Sequence, residues 1–160
     1  MNAIETTIQS TIIWVIFLFA IPFLILKSFD KWPTDLSFSF LYPGIIMFIA
    51  FSTLGILSAR SLVNAGHGTP LPLNAPKRLV ITGPYKYVRN PMAIAGLGQG
   101  LAISIITRSV EVALFCILGM IIWNYLVRPI EEEDLRRTFG EEFQLYSSRV
   151  RCWIPRTEKI

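Results

Sequence analysis

The sequence predicts an all-helical, polytopic membrane protein, with about four transmembrane helices and a cytosolic amphipathic helix near its C-terminus. Three observations carry that prediction. Apolar residues make up 52% of the 160-residue chain and charged residues only 16%, against roughly 25% charged in an ordinary soluble domain. A soluble protein of this size leaves a large share of its surface in water and has no place for so much apolar material. The apolar residues also gather into four stretches that contain no charge: 6–26, 36–59, 90–107 and 112–127. Finally, of the fifteen Lys and Arg residues, five lie in 60–89 and seven from Arg128 onward, leaving only Lys27, Lys31 and Arg108 elsewhere. This positive-inside asymmetry predicts that both termini and the 60–89 loop face the cytosol.

The first apolar stretch follows Glu5, with no preceding Lys or Arg and no small-residue cleavage site after it, so a retained span is expected rather than a secretory signal. About 20 helical residues cross a hydrocarbon core of about 30 Å, which 6–26 and 36–59 satisfy. The stretches 90–107 and 112–127 are shorter and separated only by 108–111, which predicts a tight helical hairpin whose two ends return to the same side. Between the second and third spans, Gly66, Gly68, Pro70, Pro72, Pro76, Gly83 and Pro84 exclude a regular helix over 60–89. A connection of that length is usually functional or disordered. In the tail, Leu135, Phe139, Phe143 and Tyr146 recur at helical spacing among charges, predicting an amphipathic helix over 131–148 that lies on the membrane face or on the spans. Residues 1–160 are expected to form one membrane-embedded domain. Cys116 lies in an apolar run and Cys152 in the charged tail, so neither a disulfide nor a metal site is expected.

Chemistry-bearing residues cluster at the edges of these stretches. The segment Gly83-Pro84-Tyr85-Lys86-Tyr87-Val88-Arg89-Asn90-Pro91-Met92 enters the third span. It supports two readings. In one it is an interface anchor, with Tyr85 and Tyr87 as an aromatic belt, Lys86 and Arg89 at headgroups and Pro91 opening a helix. In the other, Arg89 at the helix entrance pairs with a carboxylate or phosphate of a ligand. Gly96 and Gly100 form a small-residue face suited to close helix packing, and the backbone around Gly96 and Gly98 is open to a cofactor as well. Gln99, inside an apolar span, needs a partner in another helix or in a ligand. Glu131, Glu132, Glu133 and Asp134 follow Arg128-Pro129, where acids suit a helix N-terminus. A carboxylate beside an anionic leaflet is also explained by a cationic ligand group such as an ammonium. His67 is the single histidine, in a Gly-Pro loop where a solvated role is the ordinary one. Arg149, Arg151 and Arg156 suit a helix C-terminus and headgroups. No Ser-His-Asp order, zinc spacing or phosphate-cradling glycine loop is present, and topology already accounts for the basic residues, so nucleic-acid binding is not expected.

The ordered set is more informative than its parts. Gly83-Pro84-Tyr85, then Arg89-Asn90-Pro91, a short hairpin, Glu131-Glu132-x-x-Leu135-x-x-x-Phe139-Gly140, Phe143-x-x-Tyr146 and a closing 150–155 resemble the isoprenylcysteine carboxyl methyltransferase family and its relatives, the phospholipid N-methyltransferases. The resemblance covers about residues 66 to 155. It implies an enzyme that uses S-adenosylmethionine in a cytosol-facing pocket and methylates a small or lipid-like acceptor drawn from the membrane. It also implies that Tyr85, Arg89, Asn90 and Pro91 line the cofactor pocket together with Glu131 and Glu132. Gly96-Leu97-Gly98 is similar to the glycine motif of the phospholipid branch, and His67-Gly68-Thr69-Pro70 resembles a loop of bacterial relatives. The chain departs from the best-known pattern at Asn90, where a His is usual, and at Ala93 and Ala95, where Tyr and Gly are frequent. Asn still hydrogen-bonds but does not titrate near neutrality.

Methyl transfer is an in-line displacement on a sulfonium and needs alignment in a dry pocket more than acid–base machinery. A carboxylate or thiolate acceptor needs no base, whereas an amine acceptor has a proton to lose, to Glu132 or His67. Glu132, His67 and Arg89 are therefore the candidate catalytic residues. Two other readings fit parts of the chain: a sterol-reductase-like membrane enzyme using a reduced nicotinamide, and a small membrane scaffold without activity.

Overall fold

The computed structural model describes residues 15–30, 38–66 and 77–155, together with Ile12. Every regular element among them is helical. Helix α1 runs over Ile16–Ser28, α2 over Phe38–Gly66 and α3 over Pro91–Thr107. Helix α4, Val110–Ile122, continues without a break through a wide turn at Trp123–Val127 into α5, Arg128–Arg149. The beginning of the predicted first span, with His67, Gly68, Thr69, Pro70, Pro72, Pro76 and Arg156, lies outside the described residues.

Two helical stretches are long and apolar enough to cross a membrane, Phe38–Gly66 and the run beginning at Val110, while α1 and α3 are shorter apolar helices. Their outward side chains are large and unburied, with Ile46 67% exposed and Leu114 59% exposed. A soluble core helix hides such residues, whereas a bilayer solvates them.

Helices α2 and α3 pack antiparallel, and small residues let them approach. A side chain at Gly98 would collide with the ring of Phe51, and one at Gly44 with Ile106. Between these points Gln99 Nε2 donates to Ser52 Oγ at 2.8 Å, so the amide expected to need a partner finds it in the neighbouring helix. Ser52 in turn donates to the carbonyl of Phe48. At the far end the Arg108 guanidinium lies 5.0 Å from the centre of the Phe40 ring, a cation–π contact.

The hairpin turn is tighter than the charge pattern suggested. Arg108 takes a left-handed backbone (φ 54°) to end α3, and Ser109 starts α4 by accepting a bond on its Oγ from the backbone N–H of Val112 at 3.1 Å. Glu111 therefore sits in the first turn of α4 rather than in a loop. Gly100 faces Cys116 across this hairpin, where a Cβ would stand 2.7 Å from Sγ.

Two boundaries differ from the sequence expectation. The helix expected to stop at Ala59 continues through Arg60 to Gly66, because 60–65 contains no breaker and Leu62 gains a buried place beside Val80 and Tyr85. The tail helix is longer than expected, and it is interrupted. Gly140 has φ 52° and ψ −122°, outside helical space, so α5 consists of two halves, and Phe143, Tyr146 and Val150 form one buried cluster with Leu135, Phe139 and Leu79. The amphipathic face is thus used against the protein's own loop.

Candidate active site

The site assembles where the 77–90 loop enters α3. Gly83 (φ 60°) opens a single 3-10 turn, Gly83–Lys86, and a side chain there would collide with Ser61 of α2. This turn separates the aromatic and basic residues of the loop into two sets. Tyr85 is buried against Leu62 and Val80, and its carbonyl accepts a 2.7 Å bond from the Tyr146 hydroxyl. Tyr87 and Lys86 are exposed. The interface-anchor reading therefore suits Tyr87 and Lys86, whereas Tyr85 belongs to the interior.

Asn90 joins the loop, α3 and α5. As the N-cap of α3 its Oδ1 accepts from the backbone N–H of Ala93 at 3.0 Å, and Pro91 follows, fully buried, at the first helical position, where it needs no N–H partner. The other end of the same amide, Nδ2, donates to Glu131 Oε2 at 3.0 Å. A titrating imidazole is not needed to make both of these contacts.

Arg89 is more heavily engaged. Nε and Nη2 donate to Glu132 Oε1 at 3.2 and 2.8 Å, and Nη1 donates to the carbonyls of Ser147 and Val150, each at 2.9 Å. Its backbone N–H donates to the Arg151 carbonyl at 3.0 Å. Glu132 Oε1 accepts a third bond from Arg128 Nε at 3.0 Å, one helical turn upstream. Arg128 Nη1 reaches Asn124 Oδ1 at 3.0 Å, which also accepts from Trp153 Nε1 at 2.8 Å. The Trp153 ring meets Trp123 edge-on, with centroids 5.2 Å apart.

The paired acids thus differ in circumstance. Glu132 is held by two guanidinium groups, which balance its charge. Glu131 is held by a neutral amide, and burial pushes its carboxyl above the ordinary carboxylate range; the Asn90 bond works against that rise and the charge of Glu132 adds to it. Burial likewise pushes the Tyr85 hydroxyl up, with Tyr146 and Glu131 adding to the effect, so Tyr85 stays a neutral donor. Among the described residues, Glu131 Oε1 and Glu132 Oε2 accept no hydrogen bond from the protein. Two carboxylates, each with an oxygen that no described residue uses, form an acceptor set for donor groups such as an ammonium or a hydroxyl.

Of the residues singled out from sequence, Tyr85, Arg89, Asn90, Pro91, Glu131 and Glu132 come together here. Gly96 is buried further along α3, and Gly98 is occupied in the packing against Phe51. His67 lies outside the described residues. Sequence reasoning missed Arg128, Asn124 and Trp153. The four-residue spacing Asn124–Arg128–Glu132 was a usable signal, because it stacks the three side chains on one helix face; nothing local distinguished Trp153.

A family model described as phospholipid methyltransferase matches residues 40–142, which includes every site residue from Tyr85 to Glu132. No curated protein and no solved structure matches the chain. The matched segment spans well over half of the sequence and contains the α2–α3 pair, the hairpin and the paired acids in order, and on that ground the chain belongs to the phospholipid methyltransferase family.

Proposed function

We propose that this chain is an integral membrane methyltransferase that uses S-adenosylmethionine and methylates a small or lipid-like acceptor, an isoprenylcysteine-type carboxylate or a lipid amine. The observation that carries the proposal is the meeting of Asn90 with Glu131 and of Arg89 with Glu132, residues separated by more than forty positions, at the mouth of an apolar helix pair. When bound, S-adenosylmethionine supplies an electrophilic methyl group on a sulfonium centre. Glu131 and Glu132 hold the cofactor's cationic and hydroxyl groups through their spare oxygens. Asn90 orients Glu131, and Tyr85 and Pro91 wall the pocket. Gly96 leaves the α3 backbone bare where it approaches the cofactor, while Gly98 serves the packing against Phe51. For an amine acceptor, His67 takes the proton, because the spare oxygen of Glu132 is committed to the cofactor.

The surrounding topology in this reading is four spans in one domain of residues 1–160, with both termini and the 60–89 loop cytosolic. Five cations in that loop and seven more from Arg128 onward support the orientation. The acceptor then reaches the site laterally from the bilayer while the cofactor arrives from water. Calorimetric titration of the detergent-solubilised protein with S-adenosylhomocysteine tests the reading, with Glu132→Ala alongside. Saturable binding that the substitution weakens is the expected result. A folded protein that binds reduced nicotinamide, and not S-adenosylhomocysteine, would overturn it.

A further inference from the structure

The hydrogen bonds of the site form a chain that returns on itself. It runs from Trp153 to Asn124, from Asn124 to Arg128, through Glu132 to Arg89, and from Arg89 to the carbonyls of Ser147 and Val150. The backbone from Val150 to Trp153 closes it. Among the described residues the Arg89 side chain bonds only to groups fixed in space by α5 and the turn after it, and a single N–H, on Nη2, is left unassigned there. A guanidinium used in this way has little left with which to clasp a ligand. The segment it fastens, 147–153, lies beyond the residues that match the family model.

We infer that Arg89 is a positioning residue, which straps the returning segment 147–153 to the mouth of α3 and thereby fixes Glu132, so that this segment is an integral part of the site. Ligand contact by the paired acids then depends on Arg89 without Arg89 touching the ligand. The part of this inference that concerns a methyl donor rests on the methyltransferase reading; the strap itself does not.

Cys152 supplies a reporter, since it is buried within the strap, between Val150 and Trp153, while Cys116 is buried separately against Gly100. Burial also pushes the Cys152 thiol up, with the charges of Arg128 and Arg89 working against the rise. The test is the rate of maleimide labelling at each cysteine, resolved by peptide mass, in the full chain in detergent. Arg89→Ala removes the charge-assisted bonds and is expected to label Cys152 about tenfold faster than wild type, with Cys116 still protected. Arg89→Lys keeps a cation opposite Glu132 but cannot also span two carbonyls, so it should label almost as fast. Trp153→Phe removes only the bond to Asn124 and should give about a threefold increase. Equal protection of Cys152 in wild type and in the Lys and Phe variants would overturn the inference.

In the methyl-transfer assay, Arg89→Lys is expected to raise KM for the donor about tenfold and leave KM for the acceptor unchanged. Donor affinity lost while Cys152 stays protected would show that Arg89 meets the ligand directly, and would also overturn it. Failure of wild-type protein to bind S-adenosylhomocysteine would sink the methyltransferase reading and leave the labelling result standing.

Discussion

The α2–α3 pair and the strap at its mouth are held together by opposite means. Along the pair, Gly98 and Gly44 let Phe51 and Ile106 nest against bare backbone, with one polar crossing from Gln99 to Ser52. At the mouth, one carboxylate oxygen gathers three guanidinium bonds, and the Arg89 side chain reaches both ends of α5 from the loop. Lipid surrounds the first region, where exposed apolar chains carry no penalty and association rests on close contact. In the second, charged groups are used and are matched by partners. The packed pair uses up its contacts in association, whereas the charge cluster leaves Glu131 and Glu132 each with one oxygen that no described residue uses.

The largest effect is expected at Glu132. Glu132→Ala leaves Arg89 and Arg128 facing each other without their shared partner, and should lower stability by about 3 kcal/mol, read as a large drop in thermal midpoint in detergent. A negligible change would mean the cluster contributes no more than surface charge, and the two regions would no longer differ in kind. In the packed pair, Gly98→Leu drives a side chain into Phe51 and should cost about 2 kcal/mol. An unshifted midpoint there would remove the close-packing account of α2 and α3.

The two helix caps repeat the contrast at smaller scale. Asn90→Ala and Ser109→Ala each delete one cap and should cost about 1 kcal/mol apiece. Only the first also frees Glu131, so S-adenosylhomocysteine titration should separate two variants that melt alike. Equal affinities would detach Asn90 from the site.

Glu131 adds a pH dependence whose sign is fixed. Its folded carboxyl holds a proton more tightly than the ordinary group at 4.5, so its contribution to stability is present below that value and is lost as pH rises through the folded one. Glu131→Gln, which imitates the protonated form, should therefore gain stability relative to wild type as pH climbs from acid toward neutrality. A flat or reversed difference between the two melting curves would contradict the burial argument. The smallest effect belongs to Glu133, whose bonds to Arg136 and Arg137 are exposed. Glu133→Gln should change stability by no more than about 0.5 kcal/mol, a shift at the edge of what a melting curve resolves.

Sequence alone went far where a residue's role is local. Charge-free runs marked the helices, Asn90-Pro91 marked the start of α3, and the helical recurrence of Leu135, Phe139, Phe143 and Tyr146 marked a buried face. It went less far where a role depends on chain return. The separation of Tyr85 from Tyr87 follows from one 3-10 turn, and no periodicity encodes it. Arg89 carries the same residue type whether it meets a headgroup, a ligand or two carbonyls. Only the change of direction at Gly140 and the end of α5 bring the Ser147 and Val150 carbonyls within its reach.

The backbone at Gly140 also selects for handedness. Its φ of 52° and ψ of −122° mirror an ordinary extended conformation, and a Cβ built there meets nothing within 4 Å. The position thus disfavours L-residues by chirality rather than by size. A D-alanine introduced by semisynthesis adopts this φ and ψ readily and would restrict the unfolded chain, so the enantiomer of a destabilising substitution should be a stabilising one.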